Sequence, residues 1–245
     1  MNWLINFPEL ERSDLQAFRK SIDQGFKSFT RTYGESIESF FDPLLQFLIW
    51  LEKLLLATPW PLFILVVAAL AWFASRSLKI VIGSAISLFF IGFLGMWEDT
   101  MSTVSIILVC TMLCIGLGLP IGILMSRSDR AQAIVTPILD VMQTIPSFVY
   151  LIPVVMLLGI GKVPGLISVV IYAIPPMIRL TNLGIRLVDK EVLEAADAFG
   201  ASPWQKLTQV QIPLALPNIF AGVNQTIMMS LAMVVIASMI GVTGL

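Results

Sequence analysis

Histidine is absent from this sequence, charged residues are few, and no basic tail is present. Of the 245 residues, 13% are charged, and the formal net charge is −1. Without histidine, the chain lacks the commonest general base and metal ligand of proteins. Without clustered lysine and arginine, it has little to neutralise the phosphates of a nucleic acid. These absences exclude a nucleic-acid-binding protein and disfavour a metalloenzyme, and we expect no metal site.

The chain has two cysteines, Cys110 and Cys114, four residues apart in an apolar stretch. On a helix, this spacing places both on one face, where they could ligate a metal or form a cross-link. We favour the other interpretation, in which they are small apolar side chains packed inside a helix bundle.

Apolar residues make up 57% of the chain, which predicts an all-α integral membrane protein: a polytopic helical bundle of about six spans. We divide it into an N-terminal region, residues 1–58, and a transmembrane domain, residues 59–245. Residues 1–43 predict a partly helical tail outside the membrane, interrupted at Pro43. The predicted spans cover residues 60–75, 79–97, 101–125, 134–160, 163–178 and 217–245.

Residues 44–57 are apolar but would reach only about 21 Å as a helix, short of a hydrocarbon core of about 30 Å. They predict an amphipathic helix lying along the membrane surface, with Glu52 and Lys53 in water. Loop charges orient the spans, because eight lysines and arginines fall in three alternate loops and Lys162 alone falls in the others. We expect those three loops to be cytoplasmic, the protein to lie in the bacterial inner membrane, and the N-terminus to lie outside the cytoplasm.

The loop of residues 179–213 predicts structure of its own. Asp189 can cap a helix that runs to Phe199, and Gly200 can supply a left-handed stop. Ser202 followed by Pro203 predicts the start of a second helix, which we expect to end near Gln211. Periodicity alone also fits an ordinary capped hairpin that closes a loop.

The same loop carries a spaced set of residues: Glu194, Ala195, Ala196, Gly200, Val210, Gln211, Ile212 and Pro213. This spacing resembles the EAA motif of ABC importer permeases, EAA-x3-G-x9-I-x-L-P. The resemblance extends over residues 90–244 and is to the glycine betaine/proline permease subfamily, with the type I importer fold. It implies that contacts with a separate ATPase are made by Glu194, Ala195, Ala196, Asp197, Phe199, Gly200, Ala201, Ser202, Pro203 and Lys206.

Polar residues recur on one face of the predicted fourth span at offsets of 0, 3, 7 and 10, and a second polar patch lies in the sixth span. Pro146 and Pro153 free carbonyl groups near Met142 and Val149, which then need other partners. We interpret the two faces as lining a translocation path, although interhelical hydrogen bonding is an alternative. The residues of this path are Asp140, Gln143, Ser147, Tyr150, Asn224, Gln225 and Met228.

The resemblance implies a permease subunit, not an enzyme, that imports glycine betaine or related solutes such as proline betaine, choline, proline or sulfonium analogues. It implies three partners besides the bilayer: cytoplasmic ATPase subunits, a second permease copy and an external substrate-binding protein. No cofactor is expected in this chain, since ATP and magnesium would be held by the ATPase. The alternative is a secondary transporter or channel that works without nucleotide. Members of the subfamily continue beyond Gly241–Gly244 with a further span, so we expect that span to be missing here.

Overall fold

The computed structural model describes residues 12–239, which form helices and no strand. Residues 1–11 and 240–245 lie outside the described part, as do the expectations for Gly241–Gly244 and for the end of the last span. Ten α-helices are numbered in chain order: α1 Arg12–Ala57, α2 Trp60–Ser75, α3 Leu78–Phe93, α4 Trp97–Arg127, α5 Asp129–Thr144, α6 Phe148–Leu158, α7 Lys162–Arg186, α8 Lys190–Ala198, α9 Pro203–Gln205 and α10 Ile212–Ser238. A six-residue π-helix, Lys206–Gln211, joins α9 to α10.

The chain divides into two compact units, Met1–Pro43 and Leu44–Leu245. The described part of the first unit is helical, and its apolar side chains, such as Phe18 and Ile22, are largely exposed. Helix α1 runs through Pro43, so the expected interruption there is wrong. A proline removes one helical hydrogen bond, but the flanking turns can still hold the helix.

In the second unit, α7 is the central helix and packs against α4 on one side and α10 on another. Three clusters of buried apolar side chains surround it. One of them joins Leu48 of α1 to residues of α4, α6, α7 and α10. Both cysteines belong to these clusters and are unpaired, which confirms that they serve as small buried side chains.

Glycines let the three central helices approach closely. A Cβ atom added at Gly122 of α4 would lie 2.6 Å from the Cβ of Thr181 and 2.8 Å from the carbonyl oxygen of Ile178. One added at Gly184 of α7 would lie 2.7 Å from the Cβ of Asn218 on α10. We call this contact region of α4, α7 and α10 the glycine seam. Small residues serve the same purpose wherever membrane helices pack backbone to backbone.

Helices α2 and α3 differ from the seam, because in the described part of the chain neither has a fully buried side chain. Their large residues, among them Leu65 and Phe93, are mostly exposed. Apolar side chains on this scale are tolerated where lipid replaces water. The pair is therefore suited to a position at the lipid-facing edge of the bundle.

Within residues 12–239, three single helices are long and apolar enough to cross a membrane, and the number rises to five if each bent pair is one span. The shorter α3 matches the predicted second span. Helix α2 follows α1 across a 103° bend, as expected if the end of α1 lies along the membrane surface. The fold class is thus confirmed, and the spans differ from the prediction in where they end and in a bend within the fourth.

The predicted fourth span, residues 134–160, is not one helix. It consists of α5 and α6, which meet at 92°. The break falls at Ile145, whose extended backbone (φ −74°, ψ 131°) precedes Pro146. Proline disfavours the helical conformation in the residue before it, which explains the break.

Two other predicted boundaries are wrong. The fifth span was expected to end at residue 178, but α7 continues through Pro175 and Pro176 to Arg186, so the cytoplasmic loop begins later. The second helix of the loop was expected to end near Gln211, but Pro203–Ser238 is one continuous helical stretch of 36 residues. Packing against α4 and α10 explains the first difference, since tertiary contacts override local helix-breaking tendencies.

Glu52 was expected to stay in water, and this is also wrong. Its carboxylate forms an ion pair with Lys162 and accepts a hydrogen bond from Ser102 at 2.7 Å. Its side chain is only 13% exposed. Lys53, by contrast, is exposed as expected. The pair ties the end of α1 to the first turn of α7.

Candidate coupling hairpin and polar path

The first candidate site is the hairpin formed by α8, α9 and the turn between them, residues 189–205, which we call the coupling hairpin. Asp189 caps α8 as predicted: its side chain accepts a hydrogen bond of 2.9 Å from the backbone N–H of Glu191. The cap satisfies one of the backbone N–H groups that the first turn of a helix leaves without a partner. The helix therefore begins at a residue that the sequence specifies.

Gly200 makes the turn of the hairpin with a φ of +76°, in the left-handed region that glycine adopts without strain. The N–H of Ala201 reaches back to the carbonyl of Ala196 at 3.0 Å, which closes the end of α8. Ser202 then opens α9 with a capping box, in which its side chain and that of Gln205 each accept a backbone hydrogen bond. Both caps and the turn confirm the predicted local structure.

An ion pair closes the base of the hairpin: Lys206 Nζ lies 2.6 Å and 2.8 Å from the two carboxylate oxygens of Asp197. Asp197 is 55% exposed, so this pair lies at the protein surface. Glu194, Ala195, Ser202 and Pro203 are also exposed. Ala196 and Ala201 are only partly exposed, so the accessible small side chains of α8 are Ala195 and Ala198.

Two large aromatic side chains project from the hairpin. Phe199 is 92% exposed and Trp204 is 67% exposed. Exposed aromatic groups at a rigid turn are typical anchors of protein interfaces. Phe199 is among the contact residues that the motif implies and Trp204 is not, although a tryptophan directly after Pro203, in the first turn of a helix, is a visible signal of an exposed anchor.

The π-helix Lys206–Gln211 joins the hairpin to α10 without a break. The N–H of Ile212 bonds to the carbonyl of Leu207, five residues back. The next residue, Pro213, has no N–H, so the missing donor falls where the pattern returns to that of an α-helix. Movement of the hairpin can therefore reach α10 through continuous helix.

The second candidate site lies on α5 and α7. Asp140 of α5 accepts a hydrogen bond from Arg179 Nη2 at 2.5 Å, and the two form an ion pair. Their side chains are 58% and 33% exposed, respectively. The sequence analysis assigned Arg179 to a loop and missed its role here. Its signal was the seven-residue spacing of Tyr172, Arg179 and Arg186, which marks one helix face.

The expectation that Asp140, Gln143, Ser147 and Tyr150 share one helix face is wrong, because the bend separates α5 from α6. The structure instead folds Tyr150 back, so that its hydroxyl donates to the carbonyl of Met142 at 2.5 Å. This carbonyl is the one that Pro146 leaves without a helical donor. The tyrosine therefore stabilises the bend, and its ring centroid lies 6.4 Å from that of Tyr172.

The polar patch of α10 is exposed in the single chain. Asn224, Gln225 and Met228 all point away from the buried clusters. Among residues 12–239, no hydrogen bond joins this patch to Asp140 or Gln143. Asp140 and Gln143 are exposed like the α10 patch, whereas Ser147 and Tyr150 are partly buried.

No group of three or more potential metal ligands occurs in the part of the chain that the structure describes. At the end of α7, Arg186 donates to Asp129 at 2.8 Å and to the carbonyl of Met125 at 2.9 Å. These contacts hold the junction of α4 and α5 against α7.

Comparison with known families gives a match over residues 114–245, to the family described as "Binding-protein-dependent transport system inner membrane component". The chain belongs to this family. The matched region contains α5, α6, α7, the coupling hairpin and the described part of the last span.

Among the curated members of the family, the glycine betaine/proline betaine transport system permease protein ProW of Escherichia coli (strain K12) is 52% identical, over 79% of this chain. The glycine betaine/carnitine transport permease protein GbuB of Listeria monocytogenes is 47% identical over 78% of the chain. The glycine betaine transport system permease protein OpuAB of Bacillus subtilis (strain 168) is 42% identical over 91%. The chain spans 54%, 68% and 79% of the lengths of these three relatives, respectively.

One solved structure shares the fold. It is titled "Inward facing conformations of the MetNI methionine ABC transporter: CY5 SeMet soak crystal form", and it superposes with a TM-score of 0.52 at 21% identity. The match covers 58% of this chain and 72% of the other. At this identity, the likeness shows that the two chains share a helical fold.

Proposed function

We propose that this chain is the permease subunit of an ABC importer that moves glycine betaine or a related compatible solute into the cytoplasm. The observation that carries the proposal is the coupling hairpin: a doubly capped, rigid turn that exposes Phe199 and Trp204 and continues without a break into α10. The names of the relatives, all glycine betaine permeases, support the substrate class.

In this proposal, the hairpin docks into a groove on a cytoplasmic ATPase subunit. Small side chains at Ala195 and Ala198 allow close approach of the partner, and the two aromatic groups act as anchors. ATP and magnesium are bound by the ATPase, and this chain holds no cofactor. When two ATPase subunits close on ATP, the displacement of the hairpin passes along the π-helix into α10.

The path for the solute is formed by Asp140, Gln143, Ser147 and Tyr150 on one side and by the α10 patch on the other. Asp140, Gln143 and the α10 patch are polar groups on predicted spans and are exposed in the single chain. Polar groups at membrane depth face water or protein instead of lipid. A second copy of the permease would cover them and enclose the path. An external substrate-binding protein delivers the solute on the extracytoplasmic side, which is the side predicted for Lys162.

Reconstitution tests this function. The chain is placed in liposomes with its ATPase and binding protein, and uptake of labelled glycine betaine is measured with ATP present or absent. We expect uptake only when ATP and both partners are present. A matched preparation carrying Phe199→Ala should lose most of the uptake while keeping its fold.

The alternative, a secondary transporter or channel, predicts a different result. Uptake that continued without ATP or without the ATPase, and that followed an imposed ion gradient, would contradict the importer function. An ion-coupled carrier commonly uses an ionisable group deep in the membrane. The carboxylate nearest to that position is Asp140, which is already paired with Arg179.

A further inference from the structure

The ion pair of Asp140 and Arg179 occupies an unusual position. Arg179 lies seven residues before the end of α7, about 10 Å along a helix long enough to cross the membrane. Charged groups at such depth face protein or water, because contact with lipid is costly. The pair therefore marks a surface that the assembled protein keeps away from lipid.

The side chains of this pair are accessible from the surface of the single chain. The side chain of Asp140 is 58% exposed, whereas that of Glu52, in the ion pair at the start of α7, is 13% exposed. Glu52 also accepts a hydrogen bond from Ser102, so several helices enclose it. Asp140 has room on its open side for a second cation, and Glu52 does not.

Asp140 is the anionic partner of the Arg179 guanidinium. The arginine Nη2 donates to the carboxylate, while the Nε is buried without a hydrogen-bond partner among residues 12–239. A ligand that carries only a positive charge could take Asp140, but it would leave the guanidinium without an anion. A ligand that carries both charges can replace both halves of the pair, so that no charge is left uncompensated.

Two tyrosine rings lie on helices connected to the pair, Tyr172 on α7 and Tyr150 on α6, which follows α5. Tyr172 lies two turns before Arg179 on α7, and its ring centroid is 6.4 Å from that of Tyr150. The hydroxyl of Tyr150 is bound to the carbonyl of Met142, two residues after Asp140. Tyrosine faces attract quaternary ammonium groups, so the rings favour approach of that end of a solute.

We propose that the pair of Asp140 and Arg179 is a binding site for the zwitterionic solute and closes the path until the solute replaces it. The carboxylate of the solute takes Arg179, and its quaternary ammonium group takes Asp140. This inference rests on the proposed importer function for its ligand class. It adds a residue, Arg179, and a condition for opening, namely that the solute carries both charges.

Direct binding tests the site without the partner proteins. The full chain is purified in lipid nanodiscs, and binding of labelled glycine betaine and of labelled choline, which lacks the carboxylate, is measured by scintillation proximity. We expect the unaltered chain to favour the zwitterion by about ten-fold, the order of one hydrogen bond to a charged group. Arg179→Gln should abolish or reverse this preference, while Arg179→Lys should retain it.

Arg186→Gln provides the matched control, because it removes another paired arginine of α7 and should leave the preference unchanged. An equal loss of both ligands in Arg179→Gln, or no binding of either to the unaltered chain, would overturn the proposal. Should Arg179→Gln fail to fold, the exchanged pair of Asp140→Arg with Arg179→Asp replaces it. We expect the exchanged pair to restore the fold and the preference for the zwitterion. A folded protein that lacks the preference would contradict the proposed site.

The importer function and the binding site at Asp140 and Arg179 can be rejected independently of each other. An intact preference for the zwitterion, together with no ATP-driven uptake in liposomes, would reject the importer function and leave the site standing. ATP-driven uptake of betaine, together with no effect of Arg179→Gln on the preference, would support the importer function and reject the binding site.

Discussion

The glycine seam and the coupling hairpin are stabilised in opposite ways. In the seam, α4, α7 and α10 approach so closely that a Cβ atom at Gly122 or Gly184 would overlap a neighbouring helix. In the hairpin, a Cβ atom at Gly200 would meet nothing within 4 Å in the described structure, and the turn depends on backbone conformation and caps. A change in the seam should therefore alter the stability of the bundle, whereas a change in the hairpin should alter binding to a partner.

The largest effect is expected from Gly122→Val. The added side chain would overlap Thr181 and the carbonyl of Ile178, and backbone atoms cannot move aside cheaply. Overpacking of this kind costs about 3 kcal/mol. The measurement is thermal unfolding of the purified protein in detergent, followed by tryptophan fluorescence.

Gly116→Val is the control for that change, since it lies on the same helix and a Cβ atom added there would meet nothing within 4 Å in the described structure. Similar unfolding temperatures for the two variants would show that the seam does not limit stability. Close packing would then not distinguish the glycine seam from the coupling hairpin.

The next effect in size is that of Gly200→Val, which tests the hairpin. A β-branched residue is strained at a φ of +76°, by about 2 kcal/mol. We expect the exposed turn to relieve this strain by changing its conformation. Association with the ATPase, measured by co-purification, should therefore weaken, while the unfolding temperature of the bundle stays close to that of the unaltered chain. Gly200→Asn is the matched control, because asparagine tolerates this conformation. Equal association of the Val and Asn variants would count against the assigned turn.

The hairpin was predictable because its signals are local. Asp189, Gly200 and Ser202 each specify the backbone within a few residues, through a side-chain cap or a left-handed turn. Nothing distant has to be known to place them. The proposal of an ATPase as the partner, however, came from the motif spacing and not from this geometry.

The seam and the bent fourth span were less predictable because they depend on distant contacts. Gly118 and Gly122 form a common GxxxG pattern, and their significance appears only when α7 packs against them. Likewise, the sequence around a proline does not show whether the helix will continue through it, bend at it or end before it. Pro175 and Pro176 lie within α7, while Pro146 breaks its span, where Tyr150 is available to bind the freed carbonyl of Met142.

A smaller effect, confined to binding, is expected from Phe199→Ala. The side chain is 92% exposed, so its removal should leave the unfolding temperature unchanged. As an interface anchor, it should account for about 1.5 kcal/mol, or roughly a ten-fold loss of affinity for the ATPase. Phe93→Ala is the matched control, because it removes an equally large side chain, 76% exposed, from α3, which is distant in sequence from the hairpin. Equal losses in the two variants would indicate a general effect of lost apolar surface.

The smallest effect is expected from Lys206→Met, which removes the ion pair with Asp197. Because Asp197 is 55% exposed, solvent screens the pair, and such surface pairs contribute about 0.5 kcal/mol. We expect association with the ATPase to fall by about two-fold in low salt, and the difference to shrink as salt is added. Lys190→Met, in the first turn of the same hairpin, is the control for loss of one positive charge. A loss of ten-fold or more that persists in high salt would mean that Lys206 contacts the partner directly, and the hairpin would then bind through charge as well as through its aromatic anchors.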